Sequence, residues 1–222
     1  MPTTRAYTAP MRTRIKFCGF TDERDLREAA ALGVDAVGFV FYPKSPRHVD
    51  ADAASRLRRS LPSWVTAVGL FVDADPAEVA QVVARVGLDV VQFHGDESPE
   101  RCRASAGPDL RWWRAVRMRA ASDLLESLAR YGEAEALLLD SFSSAYGGSG
   151  KGFDWSWIPS QRPLPIVLSG GLNPDNVADA IAAVKPTMVD VSSGIQSDDP
   201  RRKDPARMER FVAEVLRADA KA

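Results

Sequence analysis

The stretch Pro165-Ile166-Val167-Leu168-Ser169-Gly170-Gly171-Leu172-Asn173-Pro174-Asp175-Asn176-Val177 decides the fold. Ile166, Val167 and Leu168 are a short, mostly β-branched apolar run, the composition of a buried parallel strand. Ser169-Gly170-Gly171 then turns the chain with almost no side chain in the way. Asn173 is expected to cap a helix running to Val184, with Pro174 in its first turn and Asp175 complementing its positive end. Strand, bare turn and helix start together leave backbone N–H groups free to hold an anion such as phosphate. The same residues also fit an ordinary strand-to-helix turn. A second small-residue turn, Ser192-Ser193-Gly194, follows the apolar run Met188-Val189-Asp190-Val191 and favours the anion reading.

Six more runs of strand character precede this one: Arg14 to Cys18, Ala36 to Phe41, Thr66 to Phe71, Val90 to Phe93, Arg111 to Val116 and Ala136 to Leu139. Helical periodicity fills the gaps, at Asp22 to Leu32, Ala51 to Leu61, from Pro76, near Ser98-Pro99 and at Ser122 to Tyr131. A helical turn near Trp155 and a last helix over Pro205 to Leu216 complete eight strand–helix units. Strict alternation demands a parallel sheet, and eight units in 222 residues predict a single α/β domain of the (β/α)8 TIM-barrel class. An open doubly wound sheet is the alternative, but no GxGxxG follows the first strand. The barrel is expected over residues 14–222. Residues 1–13 read as a disordered extension, or as an overextended start with Met11 as the alternative first residue.

A net charge of -1 offers no electrostatic footprint for nucleic acid, and no apolar run reaches the ~20 residues of a membrane span. The first dozen residues lack the apolar centre of a secretory signal. Two cysteines make no disulfide framework and suit a reducing cytoplasm, and two histidines leave little material for a transition metal. Oligomeric state is left open between monomer and homodimer.

Barrel active sites lie at the C-terminal ends of the strands, with phosphate usually held after strands seven and eight. Gly170, Gly171, Ser192, Ser193 and Gly194 occupy that place. Cys18 ends the first strand. It reads either as a small buried hydrophobe or as a base whose pKa Lys16, two residues back on the same strand face, would lower. Lys16 also has a structural reading, as a barrel-interior lysine paired with Asp190. Asp140 closes the apolar run of strand six, as a turn-initiating aspartate or a partly buried general acid. Arg47, in the loop after strand two, is a solvated arginine or a planar fork for a substrate carboxylate. His94 after strand four reads as a site residue or, more simply, a strand-end hydrogen bonder, and Cys102 as structural. The segment from Ser141 to Gly152 carries four glycines and is expected to serve as a mobile lid.

The chain resembles the phosphoribosylanthranilate isomerase family of tryptophan biosynthesis. The resemblance rests on seven collinear blocks: Lys16-Phe17-Cys18-Gly19-Phe20-Thr21; Gly38 through Arg47; Val91-Gln92-Phe93-His94-Gly95-Asp96-Glu97; Leu137 through Asp140; Gly147 through Trp155; Leu168 through Leu172; and Val189 through Gly194. It implies an Amadori rearrangement of a phosphosugar substrate without cofactor or metal. Cys18 would be the general base, Asp140 the general acid, Arg47 the carboxylate ligand, and Gly170, Gly171, Ser192, Ser193 and Gly194 the phosphate turns. Ser149 and Gly152 depart from the threonines usual there, and Gln196 stands where an acidic residue is common. Rival readings are a metal-dependent pentose-phosphate epimerase, for which histidines are too few, and an indole-glycerol phosphate synthase, which needs a catalytic lysine in the barrel mouth, whereas Lys16 lies one pleat below the rim. A non-catalytic phosphosugar-binding barrel is the third.

Overall fold

A computed structural model describes residues 12–141 and 152–221. The eight strands are β1 (Arg14–Cys18), β2 (Ala36–Val40), β3 (Thr66–Phe71), β4 (Val90–Phe93), β5 (Arg111–Met118), β6 (Ala136–Ser141), β7 (Ile166–Leu168) and β8 (Met188–Val191). They pair in sequence order, all parallel, and β8 closes on β1 through Lys16↔Asp190 and Phe17↔Val191. The helices are α1 (Glu23–Ala31), α2 (Ala51–Arg59), α3 (Pro76–Val86), α4 (Pro99–Ala106), α5 (Ala121–Arg130), α6 (Val177–Val184) and α7 (Pro205–Asp219). A 3-10 turn at Trp155–Trp157 precedes β7, and another at Ser193–Ile195 follows β8. The expected TIM barrel is the observed fold.

Alternation along each strand sorts the core into two layers. Phe17, Phe39, Phe93, Leu137, Leu139 and Val189 face outward into the cluster shared with the helices, where Phe17 meets Phe211 of α7 edge-on at 5.8 Å. Ala36, Val68, Val90, Ala115, Leu138 and Met188 belong to a separate inner cluster that plugs the barrel. Each fully buried Phe or Leu contributes about 1.5–3 kcal/mol, so the outer layer supplies most of the drive to close the ring. The same alternation turns Lys16, Cys18, Gln92, Asp140 and Asp190 inward. That is why chemically unlike strand ends meet in one place.

Local chemistry sets the element ends. Asp22 caps α1 by accepting from the N–H groups of Arg24 and Asp25, at 3.0 and 3.2 Å, and Asp50 and Ser98 cap α2 and α4 in the same way. The expected start of the seventh helix at Asn173 is corrected to Val177. Asn173 Oδ1 accepts from the Asp175 N–H at 2.8 Å and Asn176 Oδ1 from the Asn173 N–H at 2.9 Å. These local bonds hold Pro174 to Asn176 in a turn and pass the cap position to Asn176. The final helix runs three residues beyond Leu216, to Asp219, whose carboxylate accepts from the Thr13 N–H and hydroxyl at 2.8 and 2.7 Å. Arg12 pairs with Asp35. Of the expected extension, residues 1–11 lie outside the described residues, as does most of the expected lid, at 142–151. Among the described residues, no helix is long and apolar enough to cross a membrane.

Candidate active site

A cavity opens at the C-terminal mouth of the barrel. Cys18 from β1, Arg47 from the loop after β2, and Asp140 from β6 line it, together with Gly170 and Gly171 after β7 and Ser192 and Ser193 after β8. Each of these was a sequence candidate, and the fold brings all seven to one space. Gly194 lies outside the lining. It holds the two turns together instead, because a Cβ there would sit 2.1 Å from the Leu172 carbonyl oxygen.

The turns after β7 and β8 are built to be bare. Gly170 and Gly171 both have φ in the left-handed region, +79° and +73°. A Cβ on Gly170 would lie 2.2 Å from the Ser141 backbone nitrogen and 2.9 Å from Asp140 Oδ1. Gly170→Ala is therefore expected to cost about 3 kcal/mol, the sum of left-handed strain and a backbone clash, lowering Tm by roughly 5–10 °C in calorimetry. An unchanged Tm would show that the turn is slack. Among the described residues, the N–H groups of Gly170, Gly171, Ser192, Ser193 and Gly194 donate to no acceptor. Free N–H groups on two adjoining turns make a nest for an anion.

Cys18 is buried and stands opposite Gly38 on β2. A side chain at Gly38 would approach the Cys18 sulfur to 2.5 Å, so this glycine makes room for the thiol. Sequence reasoning passed over Gly38, although a glycine inside an apolar strand is a usable signal of close approach. Lys16, below Cys18, is fully buried and pairs with Asp190 at 2.7 Å, as its structural reading expected. The expected lowering of the Cys18 pKa by Lys16 is corrected: the net shift is upward. Burial pushes the Cys18 pKa up and Asp190 adds to that; Lys16 and then Lys203 pull it down without prevailing. The cause is desolvation, the largest contribution, which outweighs the lowering by Lys16.

Asp140 belongs to a buried chain that sequence reasoning did not assemble. Gln92 Nε2 lies 3.0 Å from His94 Nδ1, and His94 Nε2 lies 3.2 Å from Asp140 Oδ2. With the amide placed so, Nδ1 accepts and Nε2–H donates to the carboxylate. Gln92 and His94 project into the same cavity. His94 is thus both a hydrogen bonder to Asp140 and a residue of the cavity wall. Asp140 Oδ1 stays toward Gly170.

Arg47 is half-buried, and burial lowers its pKa, although a guanidinium remains charged. One terminal nitrogen donates to Gln196 Oε1. The Gln196 departure therefore falls on Arg47, which meets a neutral amide and keeps its net charge. The Arg47 Nε–H is buried without a partner among the described residues. Arg47 is the cation of the cavity lining, whereas Lys16 and Lys203 act on Cys18 from behind it. The unpartnered Arg47 Nε–H suits an anionic ligand.

Comparison with known proteins agrees with this geometry. Residues 15–214 match the family described as N-(5'-phosphoribosyl)anthranilate (PRA) isomerase. The chain is 50% identical to N-(5'-phosphoribosyl)anthranilate isomerase of Leptothrix cholodnii over 214 residues, 96% of each protein. Its fold is similar to the crystal structure of phosphoribosyl anthranilate isomerase from Thermotoga maritima, with a TM-score of 0.86, 41% identity, and coverage of 92% of this chain and 98% of that one. It is also similar, at a TM-score of 0.82 and 39% identity over 92% and 98% of the two chains, to an isomerase solved with reduced 1-(o-carboxyphenylamino)-1-deoxyribulose 5-phosphate.

Proposed function

The chain belongs to the N-(5'-phosphoribosyl)anthranilate isomerase family, and from that premise we propose that it converts N-(5'-phosphoribosyl)anthranilate to 1-(2-carboxyphenylamino)-1-deoxyribulose 5-phosphate, the Amadori step of tryptophan biosynthesis. The observation that carries this reading is one cavity shared by a thiol, a carboxyl, a guanidinium and two turns of uncommitted N–H groups. The phosphate binds in the nest formed by Gly170, Gly171, Ser192 and Ser193, and Gly194 keeps those turns in contact. The anthranilate carboxylate takes the open Nε–H and the charge of Arg47. Anchored at both ends, the ribose is presented to Cys18 and Asp140.

Asp140 gives its proton to the furanose ring oxygen as the C1–O bond breaks, and the anthranilate nitrogen lone pair forms C=N to C1. The Cys18 thiolate then takes the C2 proton, and those C–H electrons become the C1=C2 bond of an enolamine. Return of a proton from Cys18 to C1, with loss of the C2 hydroxyl proton to Asp140, yields the ketone and restores both groups. The His94 N–H fixes Asp140 Oδ2, leaving Oδ1 for the transfer. No step calls for a cofactor. A free thiol working as a base fits the reducing cytoplasm expected from the cysteine usage.

Freshly generated N-(5'-phosphoribosyl)anthranilate should lose its fluorescence on addition of the protein, giving a product of unchanged mass that borohydride reduces. A silent wild type that still bound ribulose 5-phosphate would point to a non-catalytic phosphosugar-binding barrel. For Arg47, a hydrogen bond to a charged group is worth about 1.5–3 kcal/mol, so Arg47→Ala should raise KM roughly 10- to 100-fold. Affinity for ribulose 5-phosphate, which has no carboxylate, should move less than about threefold on the same grounds. Equal losses for both ligands in titration calorimetry would remove Arg47 from this role.

A further inference from the structure

Lys203 lies in the strap between β8 and α7 and is buried, although its neighbour Arg201 is exposed and Arg202 half-buried. The strap folds back on itself, with Gln196 bridged to Lys203 and the Ser197 N–H donating to Arg202 O at 3.1 Å. Asp25 of α1 anchors it, accepting from the Lys203 N–H at 2.7 Å and from Arg202 at 2.8 and 3.0 Å. The Lys203 ammonium reaches no carboxylate within ion-pair distance among the described residues. It donates instead to the carbonyl oxygen of Cys18 at 2.6 Å and to that of Ser192 at 3.2 Å, above the Phe20 ring at 5.6 Å. The Cys18 carbonyl also accepts from the Ser192 hydroxyl at 2.9 Å. A buried cation without a carboxylate is costly to keep, and surface-directed packing of a lysine would avoid that cost.

We propose that Lys203 is a positioning residue of this site: it clamps the end of β1 to the turn after β8 and lends its charge to the Cys18 thiolate. The proposal rests on the reading of Cys18 as the base. The clamp sets the thiol and the phosphate turn in one frame, because both carbonyls belong to the residues concerned. Charge enters through the groups around the pair: Lys16 on β1, Asp190 on β8, Arg47 from the loop after β2, and Asp25 on α1. Burial, and then Arg47, lower the Lys203 pKa, whereas Cys18, Asp190 and Asp25 act to hold its proton. Loss of the Cys18 proton and retention of the Lys203 proton therefore reinforce each other, and the two titrate as a coupled pair. Lys203 does not line the cavity, so it acts through Cys18 and Ser192 rather than on the substrate.

The test is the rate of Cys18 alkylation by iodoacetamide between roughly pH 6 and 10, read by mass spectrometry of the Cys18 peptide in a Cys102→Ala background. Lys203→Met should shift the profile to higher pH and slow alkylation near neutrality about tenfold, the equivalent of one pKa unit. Lys203→Arg should restore most of the rate. Lys203→Gln, which keeps a donor for the carbonyls but no charge, should show the same alkaline shift and covers the case in which methionine does not fold. An unchanged profile in both uncharged variants, or faster alkylation, overturns the proposal, since a purely structural role would loosen the strap and expose the thiol. Alkylation reads the thiol directly. A wild type that turned over no substrate would therefore defeat the functional reading without touching this result.

Discussion

Cys18→Ala is expected to lower kcat about a thousandfold or more while leaving the affinity for ribulose 5-phosphate nearly unchanged. A positioned general acid or base contributes on the order of 10²–10⁴ in rate. Proton abstraction from carbon belongs at the upper end, because no nearby group substitutes: Lys16 is fully buried and tied to Asp190, and Lys203 is behind the rim. Binding survives because the phosphate turns and Arg47 do not depend on the thiol. Burial keeps the Cys18 pKa above its ordinary value. Wild-type kcat/KM should accordingly rise with pH on its alkaline side, as the thiol gives way to thiolate, and Cys18→Ala should lose that limb. Turnover within tenfold of wild type would remove Cys18 from the role of base.

Asp140→Asn is the second large effect, a fall in kcat of about 10²–10⁴ with KM changed little. The amide is nearly isosteric and can still accept from His94 through its oxygen, so the Gln92–His94 chain and the fold should persist. What disappears is the transferable proton at the ring oxygen. The variant should have a Tm within a few degrees of wild type, which separates lost chemistry from lost structure. Substantial residual turnover would mean that the furanose opens without an enzyme acid. Asp140 would then only orient His94.

The sequence and the structure agree most closely where period-2 patterning and strand-end position carry the information. Lys16, Cys18 and Asp190 lie on one inner face because strand parity puts them there, and β8 closes on β1 through the pairing that joins Lys16 to Asp190. Three features were less legible, each for a physical reason. Asn173 reads as a cap in isolation, but its side chain and that of Asn176 close a local turn that delays the helix to Val177. The thiol's net shift is set by desolvation, which a sequence does not display and which outweighs the lowering by Lys16. Lys203 sits in Asp198-Asp199-Pro200-Arg201-Arg202-Lys203-Asp204, a run that reads as solvated loop. Only the contact of that loop with Asp25, 178 residues earlier, turns the lysine inward. The Gln92–His94–Asp140 chain lies between these extremes. The two-residue spacing of Gln92 and His94 was visible, but the third member comes from a strand 46 residues away.

One measurement bears on the central claim that Cys18 and Asp140 divide the proton transfers. Freshly generated N-(5'-phosphoribosyl)anthranilate is mixed with wild type, Cys18→Ala and Asp140→Asn at equal concentration, and the loss of fluorescence is followed. Rapid loss is expected with wild type and near-background rates with both variants, each of which still binds ribulose 5-phosphate. Wild-type turnover that persisted in either variant would contradict it.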